Sequence, residues 1–583
     1  MLGMIAKACP GVLILGFFST VLGAVNSFLL NTYLYKYALN ALQEGEELKT
    51  ILITLGCMFI YSVVYMVLKN AYHCYYELKH PKVQAYIQNL LQKKAVEVEL
   101  GCFESPAFYD TYVKATAEAT ERAYTVMHTV LNLVWLTINV FAIGALVITI
   151  DPMFLIFVFL PLLCTLLIGK RRNRIQYDYN MKNQEMARQR DYVRRTFYLN
   201  DFSKEMRLTQ MWRVMFQRMH SSIAEMKKLV DQYGYKMMFF QYLFDFIFDV
   251  VVYTGSIILA AYKTLVAKSM LLGDCFVMIN SVIGIASLVN YVGEEIFKFD
   301  DNSLYIDNLR SFLEYEVKIL EDKSAPCVPA FKTLELRDLC FRYEGQDINT
   351  LQKVSLTVHA GERIAIVGHN GAGKTTLIKL LQRLYDPSDG EILLNGENIK
   401  SYRLSSYRNL FGTVFQDYQL FAVSIAENVM LKDEVTEADR QTVKEALIKV
   451  GIYDKITALP NGIDSTVTKE FDDQGVILSG GEAQKISIAR IFAGNHEIVI
   501  MDEPTSALDP IAEQEIYRNM FEACAGKTVI FISHRLSSAT MADRIYLFEK
   551  GEIIEQGTHS QLLSLGRRYA DMWHKQADTY MGS

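Results

Sequence analysis

GHNGAGKTT (Gly368–Thr376) is the stretch of this sequence that decides its fold. It follows a short apolar run, Arg363–Val367, which predicts a buried strand, and it precedes Leu377–Leu381, which has a helical pattern. Glycines at this spacing let backbone N–H groups turn inward around phosphate oxygens, and the start of the helix adds partial positive charge. The stretch therefore predicts a phosphate-binding loop in which Lys374 reaches the β- and γ-phosphates of a nucleotide and the Thr375 hydroxyl binds Mg²⁺.

A second stretch supplies carboxylates. The apolar residues Ile498–Met501 predict a buried parallel strand, and Asp502 and Glu503 follow at its carboxyl end, where α/β sheets place ligands. Asp502 suits Mg²⁺ coordination, and Glu503 suits a general base that orients the attacking water. Together with the phosphate loop, these residues predict ATP hydrolysis with ATP and Mg²⁺ as cofactors.

The amino-terminal half has a different composition. The 583-residue chain is 51% hydrophobic, and its long apolar runs lie before residue 300. A hydrocarbon core of about 30 Å requires about 20 apolar residues. The runs therefore predict six membrane spans, at residues 11–33, 51–72, 126–149, 153–169, 240–262 and 272–293. A net charge of −6 gives no basis for nucleic-acid binding, and the nine scattered cysteines form no zinc or disulfide pattern.

Loop charges predict the orientation of the spans. Residues 170–230 are rich in arginine and lysine, residues 73–124 carry further lysines, and the loop around Gln43–Glu47 is acidic. We therefore expect the two long basic connections in the cytoplasm, together with the half that uses ATP. These connections contain few Gly or Pro, so we expect the spans to continue as helices beyond the bilayer, with turns near Phe103–Asp110 and Asn200–Gln210.

The order of the motifs resembles that of the ATP-binding cassette (ABC) family. Residues Leu478–Gln484 (LSGGEAQ) are similar to the family's signature, with Glu482 where glutamine is usual. The resemblance implies that Tyr343 stacks on adenine, that Gln416 links Mg²⁺ to the membrane domain, and that Asp509 lies in a loop that crosses a dimer. It also implies that His534 touches the γ-phosphate.

The residues expected at the site fall into three groups. The nucleotide-contacting group is Tyr343, Gly368, Asn370, Gly371, Gly373, Lys374, Thr375, Thr376, Ser479, Gly480, Gly481 and Asp509. The metal group is Thr375, Gln416 and Asp502, and the catalytic group is Glu503, His534 and Gln416.

The resemblance implies a multidomain membrane protein, a half-transporter of the exporter type. An all-α transmembrane domain of six helices (residues 1–310) precedes a linker (311–332) and a cytoplasmic α/β nucleotide-binding domain with a helical subdomain (333–583). In this family each ATP is held between the phosphate loop of one chain and the signature of another. The implied partners are therefore a second half-transporter, the same chain or a homologous one, as well as membrane lipid and a transported compound. The expected location is a bacterial inner membrane.

The cargo has weaker signals. Residues Phe103–Asp110 and Lys469–Gly475 resemble segments of bacterial peptide and lantibiotic exporters. We expect export of a peptide, drug or lipid-like compound. Import of a siderophore-like cargo on the same fold is the alternative, and six spans disfavour a soluble regulatory ATPase. Asp245 and Asp249, at i and i+4 of the fifth span, form either a cation-attracting patch or a wet structural group at its inner end. Asp274 is expected to cap the sixth span.

Overall fold

The computed structural model describes the chain except for residues 165–167, 169, 504–516, 519, 523, 534–535 and 582–583. The chain forms two compact units. The first comprises Met1–Ala95 and Asp110–Tyr315, and the second comprises Val96–Tyr109 and Glu316–Ser583. The short segment Val96–Tyr109 thus belongs to the second unit, although its neighbours in sequence belong to the first.

The amino-terminal half is built of helices. They are α1 Leu2–Ala8, α2 Pro10–Phe28, α3 Leu34–Glu44, α4 Leu48–Glu97, α5 Leu100–Glu104, α6 Pro106–Ile150, α7 Leu155–Cys164, α8 Lys170–Tyr198, α9 Ser203–Leu208, α10 Met211–Phe246, α11 Gly255–Ala261 and α12 Leu272–Leu313. π-Helical turns join α2 to α3 and α10 to α11, so each of these pairs forms one continuous helical rod.

Five helical stretches of the described residues are long and apolar enough to cross a membrane. They are Pro10–Glu44, Leu48–Glu97, Glu121–Ile150, Met211–Val266 and Leu272–Gly293. These stretches correspond to five of the six predicted spans. The remaining one, predicted at residues 153–169, includes residues 165–167 and 169, which lie outside the described part of the chain.

The predicted continuation of the helices beyond the bilayer is confirmed. Helix α4 has 50 residues, which at 1.5 Å per residue is about 75 Å, more than twice the hydrocarbon thickness. The two predicted turns are also present. The first is α5 with the non-helical Ser105 that follows it. The second is a 3₁₀ turn at Asn200–Phe202 that leads into α9.

Tyrosines of α4 attach α2 by hydrogen bonds to its backbone. Tyr61 donates to the carbonyl of Leu22 at 3.1 Å, and Tyr72 donates to the carbonyl of Val12 at 3.3 Å. Such a bond is valuable in hydrocarbon because a phenol hydroxyl there has no water to bind. The close approach depends on Gly16, where a Cβ would lie 2.6 Å from the Tyr72 hydroxyl.

A polar cluster joins α3 to α12 at ends that are predicted to face outward. Asp274 accepts a hydrogen bond from Asn40 Nδ2 at 3.0 Å and lies 3.5 Å from Lys36 Nζ. The prediction that Asp274 caps its own helix is wrong, because Leu271 occupies the N-cap position. The carboxylate reaches α3 instead, since that helix offers it both an ammonium and an amide.

The second unit contains two sheets. Its strands are β1 Thr333–Phe341, β2 Leu351–His359, β3 Arg363–Gly368, β4 Asp389–Leu394, β5 Glu397–Asn398, β6 Phe411–Val414, β7 Ile498–Asp502, β8 Thr528–Ile532, β9 Arg544–Glu549 and β10 Glu552–Gly557. One sheet is antiparallel, in the order β2-β1-β4-β5. The other has the order β10-β9-β3-β8-β7-β6 and is parallel except at β10.

The parallel sheet is covered on both faces. Ile364 and Ile366 of β3 belong to one apolar cluster, whereas Ala365 and Val367 belong to another. This explains why β3, β7 and β8 are continuously apolar and not alternating. The predicted strands before the phosphate loop and before Asp502 are therefore confirmed as neighbours of β8 in one sheet.

The helices of the second unit complete its layers. They are α13 Lys374–Leu381, α14 Leu404–Arg408, α15 Ile425–Met430, α16 Glu437–Lys449, α17 Tyr453–Thr457, α18 Gly480–Ala493, α19 Leu536–Ala539, α20 His559–Ser564 and α21 Arg568–Met581. Helices α15 to α18 share a separate apolar cluster that includes Val429, Leu447 and Ile486. That cluster is the core of the helical subdomain.

The contact between α2 and α4 gives a test of the membrane unit. We expect Gly16→Leu to lower the thermal unfolding midpoint of the detergent-solubilised protein, because overpacking of this kind costs about 1–3 kcal/mol. Gly56→Leu is the matched control, since a Cβ at Gly56 has no other atom within 4 Å. Equal midpoints for the two variants would contradict the packing described here.

Candidate nucleotide-binding site

The phosphate loop is shaped by a glycine and held by a buried lysine. Gly373 has a φ of +99°, and a Cβ there would lie 2.6 Å from Leu351 Cδ2. Lys374 begins α13 and is only 5% exposed. Its ammonium donates to the carbonyl oxygens of Gly368 at 2.9 Å and His369 at 3.0 Å. The ammonium is thereby fixed inside the loop, at the position where the sequence predicts the phosphates.

Asp502 ends β7 and the phosphate loop follows β3, and these parallel strands end at the same edge of the sheet. Only β8 lies between them, so Asp502 is close to the loop. Its side chain is 1% exposed, and burial raises the pKa of its carboxyl to about 6. The Thr375 hydroxyl, beside this carboxylate, opposes that rise in the pKa. The carboxylate oxygen Oδ1 has no hydrogen-bond partner among the described residues. A buried, unpaired carboxylate oxygen beside a hydroxyl fits Mg²⁺, which prefers oxygen ligands.

Glu503 follows directly and has an unusual backbone. Its φ of +48° lies in the left-handed region, where residues other than glycine are uncommon and concentrate at functional sites. Burial raises the pKa of its carboxyl, and the nearby Lys374 opposes that effect. Burial lowers the pKa of Lys374, and Glu503 and Asp502 oppose it. One ammonium and two carboxylates therefore lie near enough to influence one another's pKa.

The predicted adenine-stacking residue adjoins the first turn of α13. The hydroxyl groups of Tyr343 and Thr376 are 3.1 Å apart. The Tyr343 ring packs edge-on against Phe341 and Tyr385, with centroids 4.9 Å and 5.5 Å away. Gln416 follows β6 by two residues and is exposed. Both residues are thus free to meet a ligand on at least one side, although their roles stay predictions.

Gly368, the last residue of β3, is buried, whereas other predicted residues of the loop and signature lie at the surface. Asn370 and Gly371 are exposed at the tip of the loop, and Ser479 and Gly480 are exposed at the start of α18. A Cβ at Gly480 or Gly481 would meet open space, so the backbone there is accessible. The predictions for Asp509 and His534 lie outside the described residues.

The loop after Gln416 is tied to the signature helix at two points, which the sequence did not reveal. The Tyr418 hydroxyl donates to the carbonyl of Gly480 at 2.8 Å. Arg490 of α18 donates to the carbonyl oxygens of Gln419 and Asn428, both at 2.9 Å. The only sequence signal for Tyr418 was its position two residues after Gln416. Hydrogen bonds therefore hold the signature helix and this loop together.

Helix α5 is anchored to the helix that begins with Lys374. Glu104, the last residue of α5, accepts from Lys379 Nζ of α13 at 2.7 Å and is hydrogen-bonded by the Tyr385 hydroxyl. Burial, followed by the bond to Glu104, raises the pKa of Tyr385. The sequence predicted a turn here but not its attachment.

One member of the acidic pair of the fifth span, Asp245, is connected to the stretch that is predicted to be cytoplasmic. Asp245 accepts from Gln241 Nε2 at 2.8 Å, and Arg172 donates to Gln241 Oε1 at 2.7 Å. Asp249 is exposed in the single chain. The link to Arg172 favours the alternative in which Asp245 is a wet structural group at the inner end of the span.

Comparisons with known proteins agree with this geometry. Residues 351–506 match the family model described as ABC transporter. The subtilin transport ATP-binding protein of Bacillus subtilis is 28% identical over 95% of this chain and 89% of its own length. A mitochondrial iron-sulfur clusters transporter of Oryzias latipes is 36% identical over 56% of this chain. An ATP-dependent lipid A-core flippase of Chromohalobacter salexigens is 40% identical over 40% of this chain.

The matches cover different shares of the relatives' own lengths. The chain spans less than half the length of the iron-sulfur clusters transporter and of the flippase. Among solved structures, a bacterial Atm1-family ABC exporter with ATP bound superimposes with a TM-score of 0.74 and 23% identity, over 98% of both chains. This likeness shows that the fold, over nearly the whole chain, is that of an ABC exporter.

The bond between Tyr418 and Gly480 gives a test of the site. We expect Tyr418→Phe to lower the ATP hydrolysis rate several-fold, since a lost hydrogen bond is worth about 0.5–1.5 kcal/mol, and to leave nucleotide binding at the phosphate loop unchanged. Tyr546→Phe is the control, because it also removes a hydroxyl that donates to a backbone carbonyl, that of Thr357 at 3.2 Å. Equal hydrolysis rates for both variants would show that the loop and the signature are not coupled.

Proposed function

We propose that this chain, which belongs to the ATP-binding cassette transporters, is one half of a dimer that uses ATP hydrolysis to export a cargo across a bacterial inner membrane. The observation that carries the proposal is the group formed by the buried Lys374 and Asp502 with Thr375 and Glu503, in a chain whose other half has helices long and apolar enough to cross a membrane. An ATPase that served only soluble partners would have no use for five long apolar helices.

We assign the chemistry as follows. Lys374 holds the β- and γ-phosphates, and Tyr343 stacks on adenine. Thr375 and Asp502, with Gln416, would hold Mg²⁺, which would supply positive charge to the phosphate oxygens. In the described part of the chain no cluster of three or more His, Cys, Asp or Glu could hold a metal by itself. This fits a cation that is bound together with the nucleotide.

Glu503 acts as the general base in this proposal. Its carboxylate orients a water against the γ-phosphate and accepts its proton, and a raised pKa makes it a better proton acceptor at neutral pH. The left-handed backbone at Glu503 turns the chain sharply at the end of β7. His534 is assigned to the γ-phosphate, and Asp509 to the crossing loop, on the family pattern alone.

The proposed dimer rests on two complementary surfaces of this chain, the phosphate loop and the start of the signature helix. The start of α18 exposes Ser479 and Gly480 and carries the partial positive charge of a helix amino terminus. We propose that this surface covers the triphosphate that the partner subunit's phosphate loop holds, so that ATP joins the two subunits. A second copy of this chain and a homologous half both satisfy the arrangement.

Transport requires that closure around ATP moves the membrane helices. Helix α13 starts at Lys374 and carries Lys379, which binds Glu104 of α5. Helix α5 lies between α4 and α6, of 50 and 45 residues, so these rods are the path to the membrane. The contacts of Asp274 with Lys36 and Asn40 would separate when the outer side opens. ATP shifts this equilibrium only through its higher affinity for the closed pair.

The direction and cargo rest on the relatives. They include proteins named for lipid A-core flipping and for putative multidrug export, which favours export over import. The subtilin transport protein matches 95% of this chain and so most of the membrane half, where a cargo is bound. The segments Phe103–Asp110 and Lys469–Gly475 point the same way. We therefore propose a peptide as the cargo.

Oriented vesicles test the proposal. Inside-out vesicles that contain the purified chain should take up a labelled peptide when ATP is supplied outside, and right-side-out vesicles should not. Uptake of a ferric siderophore by right-side-out vesicles would support import instead. A purified chain that hydrolyses no ATP, alone or with a homologous half, would overturn the proposal.

The general base has its own test. Glu503→Gln should bind ATP and form a stable dimer, and its hydrolysis rate should fall by about 10²- to 10⁴-fold, because the amide cannot accept a proton. Glu552→Gln, at an exposed position of β10, should hydrolyse ATP at the normal rate. Normal hydrolysis by Glu503→Gln, measured without a second catalytic subunit, would remove Glu503 from the mechanism.

A further inference from the structure

The signature of this chain carries a negative charge where glutamine is usual. Glu482 is the third residue of α18. Its Oε2 atom accepts from the backbone N–H of Ser479 at 2.9 Å, which holds the carboxylate within the first turn of the helix. In the proposed dimer the same turn faces the triphosphate of an ATP molecule. An unbalanced carboxylate at this place would repel the phosphates and weaken the attraction of the helix amino terminus.

The structure shows what balances this charge. Lys455 of α17 forms an ion pair with the second oxygen of Glu482. Both oxygens of the carboxylate are thus occupied, one by a backbone N–H and one by an ammonium. The two bonds, with that of Lys455 the larger effect, lower the pKa of Glu482. The side chain of Glu482 is 17% exposed and that of Lys455 is 64% exposed, so the lysine reaches the carboxylate from the solvent side.

The pair lines a surface cleft of about 530 Å³ that reaches Ser479 and Gly481. Lys485 also lines this cleft, but its ammonium is 3.3 Å from the carbonyl of Gly451. Lys455 is therefore the lysine of this cleft that is bonded to Glu482 in the described structure.

We propose that Lys455 is a positioning residue for ATP hydrolysis: by neutralising Glu482 it keeps the start of the signature helix attractive to the triphosphate held by the partner subunit. The inference rests on the proposed dimer. It also explains how the chain accommodates glutamate at this position, because the pair of Lys455 and Glu482 together carries no net charge, as a glutamine would.

The chain contains a matched control. Helix α16 begins with the same device: Asp439, at its third position, accepts from the backbone N–H of Thr436 at 3.0 Å and pairs with Lys432 at 3.0 Å. This helix belongs to none of the nucleotide motifs. A loss that comes only from a weakened helix start should therefore be the same for Lys432→Met as for Lys455→Met.

The experiment measures the KM for ATP of the purified transporter in lipid nanodiscs. We expect Lys455→Met to raise the KM about fivefold, with a smaller change in kcat, and Lys432→Met to leave it unchanged. Glu482→Gln and the double variant Lys455→Met/Glu482→Gln should both have the normal KM, and Lys455→Arg should keep most of the normal affinity. The difference in KM between Lys455→Met and the unmodified protein should shrink at about 0.5 M KCl, because salt screens the Glu482 carboxylate that has lost its lysine.

The outcomes separate the possibilities. A normal KM for Lys455→Met overturns the proposal, and so does a double variant as poor as Lys455→Met, because the lysine would then act without Glu482. A poorly folded Lys455→Met is recognised by its thermal midpoint, and the double variant and Lys455→Arg then decide. If the unmodified transporter hydrolyses no ATP, the proposed function fails. If it hydrolyses ATP and the lysine has no effect, only this inference fails.

Discussion

The interaction on which the second unit depends is that of the buried Lys374 ammonium with the oxygen atoms around it, at the edge of a parallel sheet. Lys374 has little access to water, and its bonds go to carbonyl oxygens of its own loop. Two carboxylates, Asp502 and Glu503, share the same low-dielectric space. Burial shifts the pKa of each of the three groups in the direction that favours its neutral form, and their mutual attraction opposes that shift. A triphosphate with Mg²⁺ would give each of these groups a partner, so the cluster is organised in advance for charges that arrive together.

The helix that begins with the lysine of the predicted phosphate loop also carries the lysine that anchors α5. Lys374 and Lys379 lie five residues apart on α13, a distance of about 7.5 Å along the axis. No flexible segment separates the ammonium in the phosphate loop from the one that binds Glu104. In the same unit, Tyr418 and Arg490 fix the loop after Gln416 to the signature helix. Each element predicted to contact the nucleotide is therefore bonded to a second element of the same unit.

The sequence predicted features whose chemistry lies within one continuous segment. The phosphate loop and the strand that ends in Asp502 are readable because a few adjacent residues fix both the backbone and the charge. The spans are readable because hydrocarbon demands a long apolar run. Bonds such as that of Glu104 with Lys379, 275 residues apart, are different because they depend on which surfaces meet after folding. Asp274 shows the error that results: local rules made it a helix cap, but its carboxylate contacts a lysine and an asparagine of α3, and Leu271 occupies the N-cap position.

Charge balance explains how an acidic chain binds a polyanion. The chain has 65 acidic and 59 basic residues, so its overall field does not attract ATP, and the attraction must come from local arrangement. Around the site, carboxylates that would oppose the nucleotide are paired: Glu104 with Lys379, and Glu482 with Lys455. Asp502 and Glu503 instead lie close to Lys374, and we propose that Asp502 binds the metal ion and that Glu503 orients the water. Two carboxylates on elements of the proposed site, Glu104 and Glu482, are thus neutralised by lysine, whereas Asp502 and Glu503 lie beside Lys374 and are proposed for chemistry. In this proposal the attraction for ATP comes from the phosphate loop and the start of the signature helix.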